Sequence, residues 1–224
     1  MTPFTLMPTL LCFGDSNTWG YDPASTAGSP YPVRYAPDAR WTGVLARELG
    51  TGYRVLEEGQ NGRTTVHEDP MAVASRNARH YLPACLESHK PIDIVVLMLG
   101  TNDLKSMFNL PPGDIAAGAS LLVKMILQSD AGPNGGSPRV LVVCPPAVGD
   151  LSALPELNAK LAGAREKSLA LPGLYQAIAK LQGASFLNSQ EHIAPSPVDG
   201  IHLEARDHAA LGRAIAGAVR QMTS

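Results

Sequence analysis

Four polar clusters stand far apart in this sequence: Gly14-Asp15-Ser16-Asn17, Asn61-Gly62-Arg63, Gly100-Thr101-Asn102-Asp103 and Val198-Asp199-Gly200-Ile201-His202. Between them they hold a hydroxyl, an imidazole, carboxylates, backbone N–H groups beside small residues, and a side-chain amide. Acyl transfer through a covalent serine intermediate needs that set. A serine hydroxyl is a poor nucleophile until a base removes its proton, and His202 can serve Ser16 as that base. Asp199 lies three residues before His202, so its carboxylate can reach the far ring nitrogen, fix the tautomer and stabilise the imidazolium. The N–H of Ser16, the N–H of Gly62 and the amide of Asn102 can meet a tetrahedral oxyanion. Asp15 and Asp103 compete for the role of the acid. Asp15 would have to fold back past the nucleophile it adjoins, and Asp103 is better used anchoring its own loop, so Asp199 is preferred.

Each residue also has a plainer use. Gly-Asp-Ser-Asn is a good turn, Gly62 suits a turn with positive φ, Asp199-Gly200 is a common turn pair, and His202 can cap the last helix. Thr18 stands where the second glycine of a Gly-x-Ser-x-Gly elbow would be, which sets the chain apart from α/β-hydrolases. His67, His80, His89, His192 and His208 fall in no HExxH or CxxC-associated pattern. They read as surface or packing residues, with no metal and no cofactor expected. Trp19 and Lys105 are candidates for the pocket and its mouth. Leu171, Leu174 and Val198 are apolar residues that suit a short acyl chain or an aryl group.

Such residues meet only if the chain brings its strand ends together. Thr9 to Phe13 is an apolar run of strand length that stops abruptly at small polar residues. Tyr53 to Glu57 reads as a second strand, and Ile92 to Leu99 as a central strand covered on both faces. Val140 to Val143 and Ser185 to Leu187 complete five. Helical spacing appears in Trp41 to Leu49, Ala78 to Ser88, Ile115 to Leu127, Asn158 to Leu181 with a break expected at Pro172-Gly173, and Glu204 to Met222. Strands alternating with helices imply a parallel sheet with helices on both faces. Its connections converge at one end, where open α/β sheets hold their ligands. Tyr21 to Arg40 is a long segment without period, of the kind that usually carries function.

At 224 residues, residues 1–224 are read as one domain, large enough for a full core. The net charge is −2, with no basic stripe, which argues against nucleic acid or an anionic membrane surface as partner. The three cysteines form no CxxC pair; Cys12 and Cys144 sit in strand-like runs as buried thiols. No apolar run reaches membrane-spanning length and no signal-type segment opens the chain, so a cytoplasmic location is expected.

The four clusters, in this order and nearly spanning the chain, resemble the blocks of the SGNH (GDSL-type) hydrolases. The resemblance implies a flavodoxin-like three-layer α/β/α sandwich with a five-stranded parallel sheet. It implies Ser16, Asp199 and His202 as a triad, and Ser16, Gly62 and Asn102 as an oxyanion hole. Further stretches are similar to the arylesterase/acyltransferase branch: Cys12 to Gly20, Arg40 to Leu45, Glu57-Glu58-Gly59, Arg63-Thr64-Thr65, Tyr81-Leu82-Pro83 and Met98 to Lys105. That branch implies a small-molecule ester substrate, short-chain or aryl, acyl transfer to alcohols in some members, and homo-oligomers in several. The similarity fades between Pro145 and Leu171. Alternatives are a carbohydrate or lipid deacylase with the same triad, and a small-ligand binding module on the same sheet.

Overall fold

A computed structural model describes residues 7–25 and 31–223. Five strands, β1 (Thr9–Gly14), β2 (Arg54–Gly59), β3 (Ile94–Met98), β4 (Arg139–Cys144) and β5 (Ser185–Asn188), form one parallel sheet in the order β2-β1-β3-β4-β5. The helices are α1 (Ser16–Trp19), α2 (Trp41–Leu49), α3 (Ala78–His89), α4 (Pro112–Leu127), α5 (Pro155–Lys160), α6 (Ala164–Gln182) and α7 (Ala205–Thr223).

β1 shows why the sheet takes two layers of helices. Its side chains alternate between faces, and both faces are apolar. Leu10 and Cys12 pack with Trp41 and Leu45 of α2 and with Leu211, Ile215 and Val219 of α7. Leu11 and Phe13 pack on the other face with Leu82 of α3, Ile115 and Leu122 of α4, and Leu171 and Tyr175 of α6. Cys12, Cys85 and Cys144 are all buried thiols, and burial pushes Cys144 up to about 12.

The strand order is that of flavodoxin-like sheets, with the direction of winding reversing between β1 and β3. Register sets Gly14 level with Gly59 on one side and Met98 on the other. The three chains therefore leave the sheet side by side, carrying Ser16, Gly62 and Asn102 into one crevice.

The long helical stretch after β4 is interrupted earlier than its sequence suggests. The break falls between Lys160 and Ala164, and α6 runs unbroken through Pro172. Proline removes the N–H that would bond the carbonyl four residues back, here that of Ser168. That carbonyl instead accepts from the side-chain amide of Gln190 at 3.0 Å, so the helix carries its proline without an orphaned acceptor. Of the aperiodic segment Tyr21 to Arg40, residues 26–30 lie outside the described residues. The rest is fastened: Tyr21 bridges to Arg34. Glu57 of β2 accepts from Arg34 at 3.1 Å, Arg40 at 2.5 Å and Thr42 Oγ1 at 2.5 Å.

Candidate active site

Ser16 is the first residue of α1, a single helical turn that starts where β1 stops. Asp15 caps that turn by accepting from the N–H of Asn17 at 3.0 Å. Its carboxyl faces the protein interior. Burial raises its pKa to about 6 despite the Asn17 N–H and the nearby His202 and Arg63.

His202 Nε2 lies 3.0 Å from Ser16 Oγ, and His202 Nδ1 lies 2.6 Å from Asp199 Oδ2. Asp199 Oδ1 accepts from the N–H groups of Ile201 and His202, both at 2.9 Å. A three-residue spacing allows this because the carboxylate caps its own turn while its second oxygen meets the ring. Burial works to raise the Asp199 pKa, and the hydrogen bonds from His202 and the two backbone N–H groups more than offset it, leaving the carboxyl below its ordinary range. Asn17 Nδ2 donates to the Ile201 carbonyl at 3.3 Å, tying this loop to the serine turn. The ring of Tyr21 stacks on the imidazole of His202, centroids 4.0 Å apart and planes 21° from parallel.

Gly62 has φ +79°, a left-handed conformation that favours glycine. Asn102 Nδ2 donates to the Arg63 carbonyl at 3.1 Å, so one amide proton holds the Gly62 loop and one is left for a ligand. Asp103 is bonded to Thr65, accepting from its N–H at 3.0 Å and from its Oγ1 at 2.5 Å. Burial raises its pKa to about 7, against those hydrogen bonds. Of the three carboxylates considered, Asp199 is the one on the imidazole.

The sequence pattern of the GDSL-like lipase/acylhydrolase family matches residues 12–210. The chain belongs to that family. It is a carboxylic ester hydrolase of the serine type, which displaces the binding-module alternative. A solved structure of Est24, a carbohydrate acetylesterase from Sinorhizobium meliloti, is 41% identical, with TM-score 0.90 over 96% of this chain and 99% of that one. The native aryl esterase of M. smegmatis is 41% identical, with TM-score 0.89 and the same coverage. A second S. meliloti carbohydrate acetylesterase family member is 36% identical, TM-score 0.89, over 96% of this chain and 99% of that one. Among curated proteins, none matches.

In this GDSL hydrolase the polar groups open onto a cavity of about 250 Å³. Ser16, Gly62, Asn102, Asp199 and His202 line it, with Tyr21 and Ile201, and Leu157, Lys160 and Leu161 from α5 and its end. The α5 residues form the wall that falls in the stretch 145–171. Lys105 also lines the cavity, buried rather than solvated, with its ammonium 2.6 Å from Asp69. Trp19 and Val198 are not in the lining. The indole of Trp19 carries the Arg34 guanidinium at 5.1 Å, and Val198 is exposed on the Asp199 turn. Leu171 faces the sheet, and Leu174 packs against the same core. Tyr21, Leu157, Lys160, Leu161 and Ile201 are among the lining side chains to which sequence reasoning gave no pocket role. The helical register of Leu157 and Leu161 was the one available signal.

Among the described residues, one group has the chemistry of metal ligands: Glu58, Cys85 and His89, whose ligand atoms lie within 4.8 Å of one another. It sits behind the Gly62 loop, outside the cavity. Glu58 there accepts from His89 Nε2 at 2.8 Å and Tyr81 Oη at 3.1 Å, so the carboxylate is already satisfied by the chain.

Proposed function

We propose that this hydrolase, acting as one domain, cleaves short-chain acyl and aryl esters through an acyl-enzyme on Ser16, with His202 and Asp199 completing the triad. The observation that carries the reading is the imidazole that spans 3.0 Å to Ser16 Oγ and 2.6 Å to Asp199 Oδ2. His202 Nε2 takes the Ser16 proton as Oγ bonds the ester carbonyl carbon. The oxyanion receives the N–H groups of Ser16 and Gly62 and the Asn102 amide. The C–O bond to the leaving group then breaks, and His202 returns the proton to the departing alcohol or phenol. Water repeats the sequence and releases the acid. Asp199, kept ionised by its hydrogen bonds, balances the imidazolium. The Tyr21 ring lies flat against the imidazole and keeps water off that face.

A cavity of about 250 Å³ suits a small acyl group, and Leu157, Leu161 and Ile201 give it apolar walls. A small alcohol gains about 0.8 kcal/mol per buried CH₂ there, which water does not, so acyl transfer to alcohols in water belongs to the proposal. The polar lining residues Lys160 and Asn61, with the 41% identity to Est24, favour acetylated carbohydrate as the second reading. The protein is further read as cytoplasmic and homo-oligomeric. No described helix is long and apolar enough to cross a membrane, and Tyr31, Met71 and Val73 expose apolar surface that a second copy would cover. Light scattering and cell fractionation test these two points.

The decisive assay is steady-state hydrolysis of chromogenic esters from acetate to octanoate, beside acetylated sugars. Ser16→Ala is expected to abolish turnover with an unchanged circular dichroism spectrum. Near-normal turnover in that variant ends the assignment. An ester-to-acid product ratio that merely tracks alcohol-to-water concentration ends the acyl-transfer part.

A further inference from the structure

Behind the Gly62 loop lies a guanidinium that no step of the proposed chemistry uses. Arg63 is 3% exposed, and its side chain turns inward, away from the cavity. Nη1 donates to the Gly14 carbonyl at 2.8 Å and also to the Glu58 carbonyl. Nε donates to Gln60 Oε1 at 3.2 Å. The guanidinium carbon lies 4.3 Å from the centroid of the Phe13 ring and 5.3 Å from that of Tyr81. The backbone of the same residue closes the turn, its N–H donating to the Gln60 carbonyl at 3.1 Å. Its carbonyl accepts the Asn102 amide at 3.1 Å.

One residue therefore bonds to all three segments that meet at the oxyanion. Gly14 is two residues before Ser16, Arg63 directly follows Gly62, and Asn102 is held through the Arg63 carbonyl. A planar five-donor fork can bond two strand-end carbonyls and a side-chain amide oxygen at once; a lysine ammonium on a flexible stem cannot fix the same plane. The fork lies on aromatic faces, which favours a desolvated cation in one orientation. The surrounding groups fit a guanidinium rather than a metal ion. Glu58, Cys85 and Tyr81 all lie close enough to interact electrostatically with Arg63, so the local positive charge is already in place.

We infer that Arg63 is a positioning residue for the oxyanion hole, locking the Gly62 N–H and the Asn102 amide against the serine turn. This rests on the proposed triad-and-hole reading. Displacing donors by a fraction of an ångström costs most where charge develops, so kcat should fall while ground-state binding is kept.

The test compares Arg63→Lys and Arg63→Met with wild type on a chromogenic acetate ester, with Asn102→Ala and Ser16→Ala alongside. For both Arg63 variants the expected result is a kcat lower by about 10- to 100-fold, KM within about twofold, and an unshifted pH profile. Arg63→Lys should be nearly as impaired as Arg63→Met, because geometry and not charge is lost. In an Asn102→Ala background, Arg63→Lys should cost markedly less than alone, since the amide it positions is gone. A residue that only stabilised the fold would leave kcat intact below the melting transition and show full additivity. Folded Arg63 variants with kcat within threefold of wild type, or a loss confined to KM, overturn the inference. Should neither variant fold, Phe13→Leu removes the ring under the guanidinium together with its stack on Tyr81 and part of the core packing, with circular dichroism and melting checking that the fold is kept. A kcat loss of threefold or more at constant KM then supports the inference, and unchanged kcat overturns it. If Ser16→Ala stays active, the triad reading itself fails; if it is dead while the Arg63 variants are normal, only the positioning role fails.

Discussion

Acidification should probe a single buried imidazole, that of His208. The residue is fully buried under α2, and its Nδ1 accepts from the Trp41 N–H at 3.3 Å. Burial, with the nearby His202 and Arg40 charges and against Asp207, lowers its pKa from 6.5 to about 4. The sign follows from which state holds the proton. Between pH 6.5 and 4 the unfolded chain protonates this imidazole and the folded chain does not, so acid pulls the equilibrium toward unfolding. From pH 7.5 to 4.5 the loss at this one site comes to about 2.5 kcal/mol. Asp15 and Asp103 work in the opposite sense over the same window, because burial raises both carboxyls and their protonation favours the folded state. The wild-type curve alone therefore mixes opposing slopes, and the difference between two proteins isolates the histidine. His208→Gln keeps an acceptor for the Trp41 N–H and cannot titrate. Urea denaturation of both proteins at half-unit steps from pH 7.5 to 4.5 is the measurement. The variant is expected to gain about 2.5 kcal/mol relative to wild type across that range, on top of any constant offset. A difference that stays flat within about 0.5 kcal/mol would refute the argument, since His208 would then titrate alike in both states.

Asn102→Ala should lower kcat by roughly 10²–10³-fold, the cost of one oxyanion donor, and a change confined to KM would make it a ground-state contact. Gly100→Ala should destabilise the fold by roughly 2–4 kcal/mol in denaturant titration. The residue has φ +127°, and an added Cβ would stand 2.3 Å from the Tyr175 hydroxyl that donates to Leu99; a cost below about 1 kcal/mol refutes this. Exhaustive chelation should leave ester hydrolysis unchanged, because the proposed nucleophile and proton carrier are side chains. A loss that added divalent metal restores would contradict that mechanism.

The sheet and the meeting of the four polar clusters were legible because both depend on strand ends. An apolar run that stops at small polar residues marks where a parallel strand leaves the core, and Ser16, Gly62 and Asn102 follow such stops. Asp199 and His202 were legible through a spacing of three. The cavity walls were not, because they depend on the direction of side chains over long loops. Trp19 lost its expected place to Tyr21, two residues on, once Arg34 covered the indole. Leu171 reads like Leu157 in sequence, yet one faces the sheet and the other the cavity. The expected break at Pro172 failed for a long-range reason: Gln190 bonds the Ser168 carbonyl that the proline frees, and no local pattern reports a partner 22 residues away. Arg63 looked like a turn residue beside Gly62, since only the fold aims its fork at two carbonyls.

Ser16 and His202, bonded at 3.0 Å, are separated by 186 positions along the chain. During synthesis the serine is made 186 residues before the imidazole proposed as its base. At about 5–20 residues per second, roughly 9–37 s pass between the two. Throughout that interval the growing polypeptide carries an unactivated hydroxyl. The proposed reaction thus has a built-in delay. A product truncated before residue 199 lacks both the proposed base and the proposed acid, so on this reading it is inert and not a poorly controlled esterase.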